Sequence, residues 1–318
     1  MNEALLWKFL LKTISSDKKA VLLVVTESSN SSPGRQGFKM AVNEESDMIG
    51  TIGGGIMERD MTEYALDLLL EKKSKKIKRL QHTDKTKFEK SGLICGGFQT
   101  IVFSVIDKTQ TKFIENILSS ISEKQNNELI ISPHKIEFKS AESMLPVSFI
   151  YKSDEDWNYK ENIGLPLTAY IAGGGHVGLA VSRVMKSLGF YVVVFDHRED
   201  VYTIKQNQFA DEIIICNYDE IGSKIIEGER SYIIIVTPMH AGDKATLKSV
   251  LNKNVKYIGM MGSKKKIKTI FDALIEEGVD GAIFNKVHTP IGIEIEAETP
   301  EEIAISIAAE IIKIKNNK

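Results

Sequence analysis

Three glycines in the middle of the chain have the spacing of a phosphate-binding turn. Gly173, Gly175 and Gly178 satisfy the pattern G-x-G-x-x-G between an apolar run and an amphipathic helical stretch. The first glycine permits a tight turn, the second lets a pyrophosphate approach the backbone, and the third lets the helix pack against the strand. The pattern predicts a phosphate site at the N-terminus of that helix, although similar turns also serve only as packing devices.

The residues around this turn extend the nucleotide-binding pattern. The next apolar run ends in Asp196, where a carboxylate can accept a hydrogen bond from a ribose hydroxyl. Arg198 follows and would instead favour a phosphorylated ribose. His176, Val177 and His197 adjoin these positions, so we include them among the candidate cofactor-binding residues. For His176, a ligand contact and a plain surface position at a helix start are both open.

A second glycine cluster lies in the first half of the chain. Gly53, Gly54 and Gly55 stand between a predicted strand and a predicted helix. Such a cluster leaves backbone N–H groups uncovered, which suits an anionic ligand, so we predict a binding loop rather than a plain sharp turn. Glu58 follows in the first turn of the helix, where it either contacts a ligand or complements the helix dipole.

Cys95 is a candidate catalytic residue and the candidate metal ligand of the chain. Glycines stand beside it, and they would leave its sulfur accessible. An accessible thiolate can ligate soft metals or carry sulfur. The alternative is a small buried apolar residue, which is the usual place of a free cysteine. With Glu58 it forms the candidate catalytic set.

Two further groups of polar residues are left open between a ligand site and a solvated surface. Lys264–Lys266 open a predicted helix, where their charges oppose the dipole unless an anion lies nearby. His240 and Asp243 follow the carboxyl end of a predicted strand, which is the edge where open α/β sheets bind ligands.

Composition and charge limit the class of protein. The chain has 318 residues, 42% of them apolar, and a formal net charge of −2. It is therefore long enough for two domains and lacks the basic surplus of a nucleic-acid binder. Its two cysteines form no disulfide framework, and no apolar run reaches membrane-spanning length. We expect a protein of the reducing cytoplasm that binds neither nucleic acid nor membrane.

The order of apolar and polar segments predicts an α/β protein with two domains. We expect an α+β domain over residues 1–153, a polar linker over 154–166 and a Rossmann-like parallel-sheet domain over 167–318. One helix and two strands are expected within residues 110–153. Five apolar runs of the last domain are predicted to be parallel strands, at residues 168–172, 191–196, 212–216, 232–237 and 257–261.

Five motifs in order give the chain a resemblance to a known family. They are GTIGGGIME at residues 50–58, CGG at 95–97, IAGGGHVG at 171–178, YIGMMGSKKK at 257–266 and PIGIEIEAETPEE at 290–302. This arrangement resembles the xanthine dehydrogenase accessory factor family, XdhC/CoxI, over nearly the whole chain. The segment 107–165 carries no recognised motif.

The resemblance implies an N-terminal XdhC/CoxI domain, a C-terminal Rossmann domain and a role in maturing molybdenum hydroxylases of the xanthine dehydrogenase type. It implies binding of the molybdenum cofactor, as a pterin or pterin dinucleotide, its protection during sulfur installation, and its delivery. NAD(P) is a further candidate ligand. The implied partners are the apo-hydroxylase, a sulfur donor of the cysteine desulfurase type, and a second copy of the chain in a homodimer.

The family's motifs carry over to particular residues. In the N-terminal domain they indicate the three glycines Gly53–Gly55, with Glu58 and Cys95. One departure concerns the segment 32–35, where the family pattern is more basic, so Arg35 and Lys39 are expected to supply the positive charge. Some members carry the label xanthine dehydrogenase, although 318 residues cannot hold that enzyme's large molybdenum and flavin domains. The resemblance thus favours a cofactor-binding accessory factor over a metabolic enzyme.

Two other functions are consistent with the same residues. An NAD(P)-dependent oxidoreductase would use the glycine turn and Asp196, but it needs a proton relay beside the nicotinamide, and the sequence offers no convincing Tyr-x-x-x-Lys set. A scaffold between a sulfurtransferase and a hydroxylase would need neither the glycines nor the cysteine for partner binding.

Overall fold

The chain folds into two compact units, and the boundary between them along the chain falls between Leu165 and Pro166. A computed structural model describes residues 3–29, 32–74, 76–81, 89–90, 97–141 and 147–316. Each unit has its own sheets and its own buried apolar clusters, so each is considered by itself. Cys95, the candidate thiolate, lies outside the described residues.

The first unit is an α+β domain with two sheets. Its helices are α1 (Glu3–Ser15), α2 (Gly55–Leu69) and α3 (Thr111–Ser122). Its strands are β1 (Ala20–Ser28), β2 (Lys39–Asn43), β3 (Met48–Gly50), β4 (Ile77–Gln81), β5 (Glu89–Lys90), β6 (Phe98–Ile106), β7 (Asn127–Ile131), β8 (Ile136–Ser140), β9 (Ser148–Ser153) and β10 (Asp156–Ile163). One sheet has the order β3-β2-β1-β6-β4-β5, and the other has the order β8-β7-β10-β9.

Strand β1 shows why the larger sheet of this unit is covered on both faces. Its side chains alternate between two apolar clusters, as the two-residue period of a strand requires. Leu22 and Val24 join a cluster with α1, α3 and the smaller sheet. Val21 and Leu23 join another cluster with α2. The glycine cluster at residues 53–55 therefore stands at the start of a helix that is packed firmly against this sheet.

The predicted linker at residues 154–166 is wrong, because most of it is strand β10. This strand is central in the smaller sheet, where it pairs with β7 on one side and β9 on the other. Trp157, Tyr159 and Ile163 are buried on it. Polar residues alternate with these side chains, and that alternation hid the strand behind a polar average composition. The segment 110–153 likewise contains three strands rather than the expected two.

The second unit is an open parallel sheet with helices on both faces. Its helices are α4 (His176–Ser187), α5 (Tyr202–Lys205), α6 (His240–Val250), α7 (Lys264–Glu276) and α8 (Pro300–Asn316). Its strands are β11 (Thr168–Ala172), β12 (Tyr191–Asp196), β13 (Glu212–Ile215), β14 (Gly228–Ile235), β15 (Val255–Met260) and β16 (Val287–His288). They are ordered β13-β12-β11-β14-β15-β16, and every neighbouring pair is parallel. The predicted α/β class and Rossmann-like sheet are confirmed.

The strand order of this second sheet reverses at β11. From β11 the chain moves outward first to β12 and β13, and then across to β14 and β15. In open α/β sheets ligands bind at such a reversal, outside the carboxyl ends of the strands. The glycine turn at residues 173–178 follows β11 directly, so the fold places it at this position.

Among the described helices of both units, none is long and apolar enough to cross a membrane.

The revised boundary predicts how the chain can be divided. A fragment ending at Leu165 keeps β10 and is expected to fold on its own, with a cooperative thermal transition by circular dichroism. A fragment ending at Ser153 loses the central strand of the smaller sheet and leaves its apolar partners uncovered, so it is expected to be unfolded or aggregated. Equal behaviour of the two fragments would contradict the boundary at Leu165.

Candidate functional site

The glycine cluster of the first unit is closed by a carboxylate of the chain itself. One oxygen of Glu58, Oε1, accepts hydrogen bonds from the N–H groups of Ile52 at 2.9 Å, Gly53 at 3.2 Å and Gly54 at 2.8 Å. The hydroxyl of Thr51 donates to the same oxygen at 2.5 Å. Successive N–H groups that converge on one oxygen form an anion-binding nest, and here the anion is Glu58.

This contact changes the expected role of the cluster. The sequence suggested that its N–H groups are left uncovered for a ligand, but Glu58 occupies those of Gly53 and Gly54, together with that of Ile52. Partial burial raises the pKa of Glu58, but the bonds from Thr51, Ile52, Gly54 and Gly53 outweigh this and hold it below the ordinary value. Glu58 lies in the first turn of α2, where the helix dipole also favours a carboxylate. Glu58 is therefore a positioning residue in this arrangement.

A buried glutamine ties the cluster to a neighbouring loop. The side chain of Gln99, at the start of β6, donates to the carbonyl of Ile52 at 2.5 Å and accepts from the Ser32 hydroxyl at 2.7 Å. A methyl group on Gly34 would lie 2.0 Å from the Ile52 carbonyl oxygen. The loops at residues 32–34 and 51–55 thus touch backbone to backbone beside the strand that follows Cys95.

The two basic residues expected to support this site differ in position. Lys39 is buried and ion-paired with Glu161 at 2.8 Å, so its positive charge is neutralised inside the unit. Burial lowers the pKa of Lys39, but the neighbouring Glu161 and Glu3 more than compensate and raise it. Arg35 is exposed and donates to the Ser29 carbonyl at 3.3 Å. Lys39 therefore does not supply positive charge to a surface ligand.

In the second unit, two glycines of the turn are required by packing. A methyl group on Gly178 would lie 1.9 Å from the Gly173 carbonyl oxygen, and one on Gly173 would lie 2.4 Å from the Val236 carbonyl oxygen. Gly173 also has a positive φ of 115°. These contacts bring α4 close to β11 and bring the turn against the end of β14, as the sequence pattern predicts.

Gly175 differs from these two glycines. Its φ is −74°, which any residue adopts, and a methyl group there would meet no atom of the described residues within 4 Å. The fold itself therefore gives no reason for a glycine at this position. The N–H groups of Gly175, His176 and Val177 find no acceptor among the residues that the structure describes. A helix N-terminus with bare backbone and unused donors is the arrangement that binds a phosphate.

Asp196 anchors the turn instead of lying open at the surface. Its buried carboxylate accepts from the Gly174 N–H at 2.8 Å and from the Arg198 guanidinium through two bonds of 2.9 Å. Burial raises the pKa of Asp196, but the bonds from Arg198 and Gly174 outweigh it and lower the pKa. The group at the end of β12 that meets solvent is thus the partly exposed guanidinium of Arg198.

The three histidine and valine candidates surround this arrangement. His176 is exposed in the first turn of α4, and Val177 packs partly against the apolar cluster beneath that helix. The His197 ring lies 5.0 Å from the ring of Tyr218, edge to face. His176 and His197 are both exposed, so either ring has access to a ligand at the turn.

A third carboxylate resolves the charge conflict at the start of α7. Asp243 in α6 is buried, accepts from the N–H and hydroxyl of Thr237, and forms an ion pair with Lys266. The anion that relieves the lysine at this helix N-terminus is thus internal. His240 is exposed at the start of α6. The sequence points to all of these residues but does not pair them, because the two partners of the ion pair lie on different helices, far apart along the chain.

Comparison with known proteins agrees with both halves of this description. Residues 169–311 match the XdhC Rossmann domain, and residues 13–81 match the XdhC and CoxI family. The chain belongs to the XdhC and CoxI family. Together the two matched segments include both glycine turns and the carboxylates Glu58 and Asp196.

Two known proteins are similar to the chain in sequence. The Escherichia coli K12 protein YqeB, which is uncharacterised, is 25% identical over 299 residues, or 92% of this chain and 43% of that protein. A Bacillus subtilis 168 protein, named as a probable subunit of xanthine dehydrogenase, is 26% identical over 143 residues, or 45% of this chain and 41% of that protein. The matched part of the chain spans less than half of the length of either relative.

A solved structure shares the fold over nearly the whole chain. It is the crystal structure of a Bacillus halodurans protein described as a xanthine dehydrogenase. The TM-score is 0.74 at 21% sequence identity, and the superposition covers 99% of this chain and 96% of the other. At this identity the likeness shows the fold and leaves the activity of the chain to be argued from its residues.

Replacement by alanine is expected to have different effects at Gly178, which is closely packed, and at Gly175, which is not. Gly178→Ala puts a methyl group into a backbone oxygen and is expected to cost about 1–3 kcal/mol of stability, the usual range for overpacking. Gly175→Ala puts the same group into open space and is expected to cost less than about 1 kcal/mol. Urea unfolding of both variants measures the difference. An equal loss would show that Gly175 also has a packing role.

The contacts of Glu58 predict a pH dependence with a definite sign. Because its pKa is lowered in the folded chain, its contribution is complete above the unfolded value of 4.5 and is lost as the pH falls through the lower folded value. Glu58→Gln removes the charge and is expected to cost about 1–2 kcal/mol at neutral pH. The Glu58→Gln variant should also lose less stability on acidification than the unmodified chain. Glu63→Gln, on an exposed position of the same helix, is the matched control and should change neither quantity.

Proposed function

We propose that the chain binds the molybdenum cofactor and delivers it to a hydroxylase of the xanthine dehydrogenase type. The observation that carries this proposal is membership of the XdhC and CoxI family, together with backbone donors at a glycine turn that meet no acceptor in the described segments. The names of the similar proteins from Bacillus subtilis and Bacillus halodurans, which both refer to xanthine dehydrogenase, support the link to that enzyme.

The second unit fits the pyrophosphate of a pterin dinucleotide. The donors at Gly175, His176 and Val177 would bind one phosphate at the start of α4, where the missing side chain of Gly175 leaves space for close approach. The guanidinium of Arg198 adds positive charge at the end of β12. Since Asp196 is engaged with Gly174 and Arg198, it would act by fixing this turn rather than by binding a free ribose hydroxyl.

In this proposal the first unit contributes the sulfur chemistry. The bound cofactor would supply the molybdenum centre and its terminal sulfur. Within the described ranges, no three side chains of His, Cys, Asp or Glu are grouped as a metal site. On the strength of the family's CGG motif, the proposal assigns contact with the metal or its sulfur to Cys95, which precedes β6 and the buried Gln99 in the sequence. A sulfur donor of the cysteine desulfurase type and the apo-hydroxylase are the proposed partners, with the chain acting as a homodimer in the cytoplasm.

An NAD(P)-dependent oxidoreductase is the alternative function, since the N–H groups of Gly175, His176 and Val177 suit the pyrophosphate of any dinucleotide equally well. The two functions differ in the step after binding. An oxidoreductase would reduce or oxidise the nicotinamide continuously with a small substrate, whereas a delivery factor would retain its ligand until an acceptor protein is added.

Cofactor retention tests the proposal directly. Purified chain mixed with isolated molybdenum cofactor is expected to co-elute with molybdenum and pterin fluorescence in gel filtration. Cys95→Ala is expected to retain at least about tenfold less molybdenum, which corresponds to about 1.4 kcal/mol. Cys216→Ala is the matched control, because burial raises the pKa of that thiol and makes it a poor ligand. Absence of retention by the unmodified chain, with steady nicotinamide turnover instead, would favour the alternative.

A further inference from the structure

A cavity of about 260 Å³ lies in the first unit between the start of α1 and strands β2 and β3. It is lined by two charged, one hydroxyl-bearing and three other residues, namely Glu3, Lys39, Thr51, Leu6, Gly37 and Phe38. Thr51 also donates to Glu58, so the cavity borders the glycine cluster. Its size suits a single bicyclic ring better than a whole dinucleotide, because drug-sized ligands need roughly 300–1,000 Å³.

The charged groups around this cavity leave a surplus of acceptors. The Lys39 ammonium is already engaged by Glu161 at 2.8 Å, by the Gly37 carbonyl at 3.3 Å and by Glu3 Oε1 at 3.5 Å. One ammonium therefore faces two carboxylates. Within the described part of the chain, Glu3 Oε2 accepts no hydrogen bond. A second anion at this place would be repelled, whereas a ligand with N–H donors would be stabilised.

Two buried polar atoms behind the cavity lining interact with each other and have no further hydrogen-bond partner among the described residues. They are Oε1 of Glu161 and the hydroxyl of Tyr159, and both side chains are more than nine-tenths buried. A methyl group on Gly37, which lines the cavity, would stand 3.9 Å from the Tyr159 hydroxyl. Because these two groups complete each other, the acceptor left for a ligand in the cavity is the Glu3 carboxylate.

The apolar part of the lining determines the shape of the ligand. Phe38 keeps 38% of its surface exposed beside the cavity, and Leu6 is buried against it. An exposed aromatic ring next to a carboxylate suits a planar ring that carries donors on one edge. Two adjacent donors, a ring N–H and an amino group, can meet one carboxylate in a bidentate pair, as a guanidinium does.

We propose that this cavity holds the 2-amino-4-oxopyrimidine edge of a pterin ring, with the Glu3 carboxylate accepting from the ring N–H and the 2-amino group. This assignment rests on the proposed function, because it takes the pterin of the molybdenum cofactor as the ligand. Guanine carries the same edge and is the other possible source. Phe38 packs against the ring, and Lys39 holds Glu3 and Glu161 together rather than binding an anion.

Calorimetric titration of the full chain with neopterin tests this assignment. Glu3→Gln keeps the size of the side chain but loses the charge, and it is expected to weaken neopterin binding at least about tenfold. Glu115→Gln, on an exposed position of α3, is the matched control and should bind like the unmodified chain. Lumazine, which differs from unsubstituted pterin by an oxygen in place of the 2-amino group, should bind at least about tenfold more weakly than pterin. Circular dichroism checks that Glu3→Gln is folded.

The outcomes separate this site from the proposed function. Binding of guanosine monophosphate but not neopterin, with the same dependence on Glu3, would support the edge and assign it to guanine. Ligand affinity that ignores both Glu3→Gln and the loss of the 2-amino group would overturn the site. So would a failure of both ligands to bind. If the site is overturned and the unmodified chain nevertheless retains molybdenum in gel filtration, the delivery function stands and only this site falls.

Discussion

The bond between Glu58 and three consecutive backbone N–H groups is the constraint on which the first unit depends. Ile52, Gly53 and Gly54 turn their N–H groups to one side, an arrangement that is unfavourable unless an anion meets them. Glu58 supplies that anion from the first turn of α2. The turn can therefore be rigid without a ligand, and its backbone can support the adjoining loop through Gln99. The cavity beside Thr51 rests on the same bond.

In the second unit, a carboxylate of the chain satisfies only some of the N–H groups of the glycine turn. Asp196 engages the N–H of Gly174, and Arg198 neutralises the buried carboxylate. The next three N–H groups, at the start of α4, keep no acceptor within the described segments. Asp243 and Lys266 neutralise each other nearby, so they do not fill this place. The chain thus carries two glycine turns of similar sequence. In the first, Glu58 occupies the N–H groups of Gly53 and Gly54, whereas in the second no described acceptor meets those of Gly175, His176 and Val177, which can receive a phosphate.

The sequence predicts the second unit well because its strands are short apolar runs separated by helices. The strands at 168–172 and 191–196 are found with the predicted bounds. Strand β10 was missed since Lys160 and Glu161 give it a polar composition, although Glu161 is buried by its pairing with Lys39. The partners of Glu58 and Asp196 were also missed. A carboxylate near a glycine turn can face a ligand or the turn itself, and only the folded backbone decides between them. The role of Cys95 stays a prediction.

The contrast between the two glycine turns is the central claim, and amide chemical shifts measure it most directly. Nuclear magnetic resonance of the 15N-labelled chain, recorded during titration with a dinucleotide such as NADH, reports the environment of each N–H group separately. We expect shifts at Gly175, His176 and Val177, while the amides of Gly53 and Gly54 keep their positions in contact with Glu58. Shifts at Gly53 and Gly54 without any change at Gly175 would contradict this contrast.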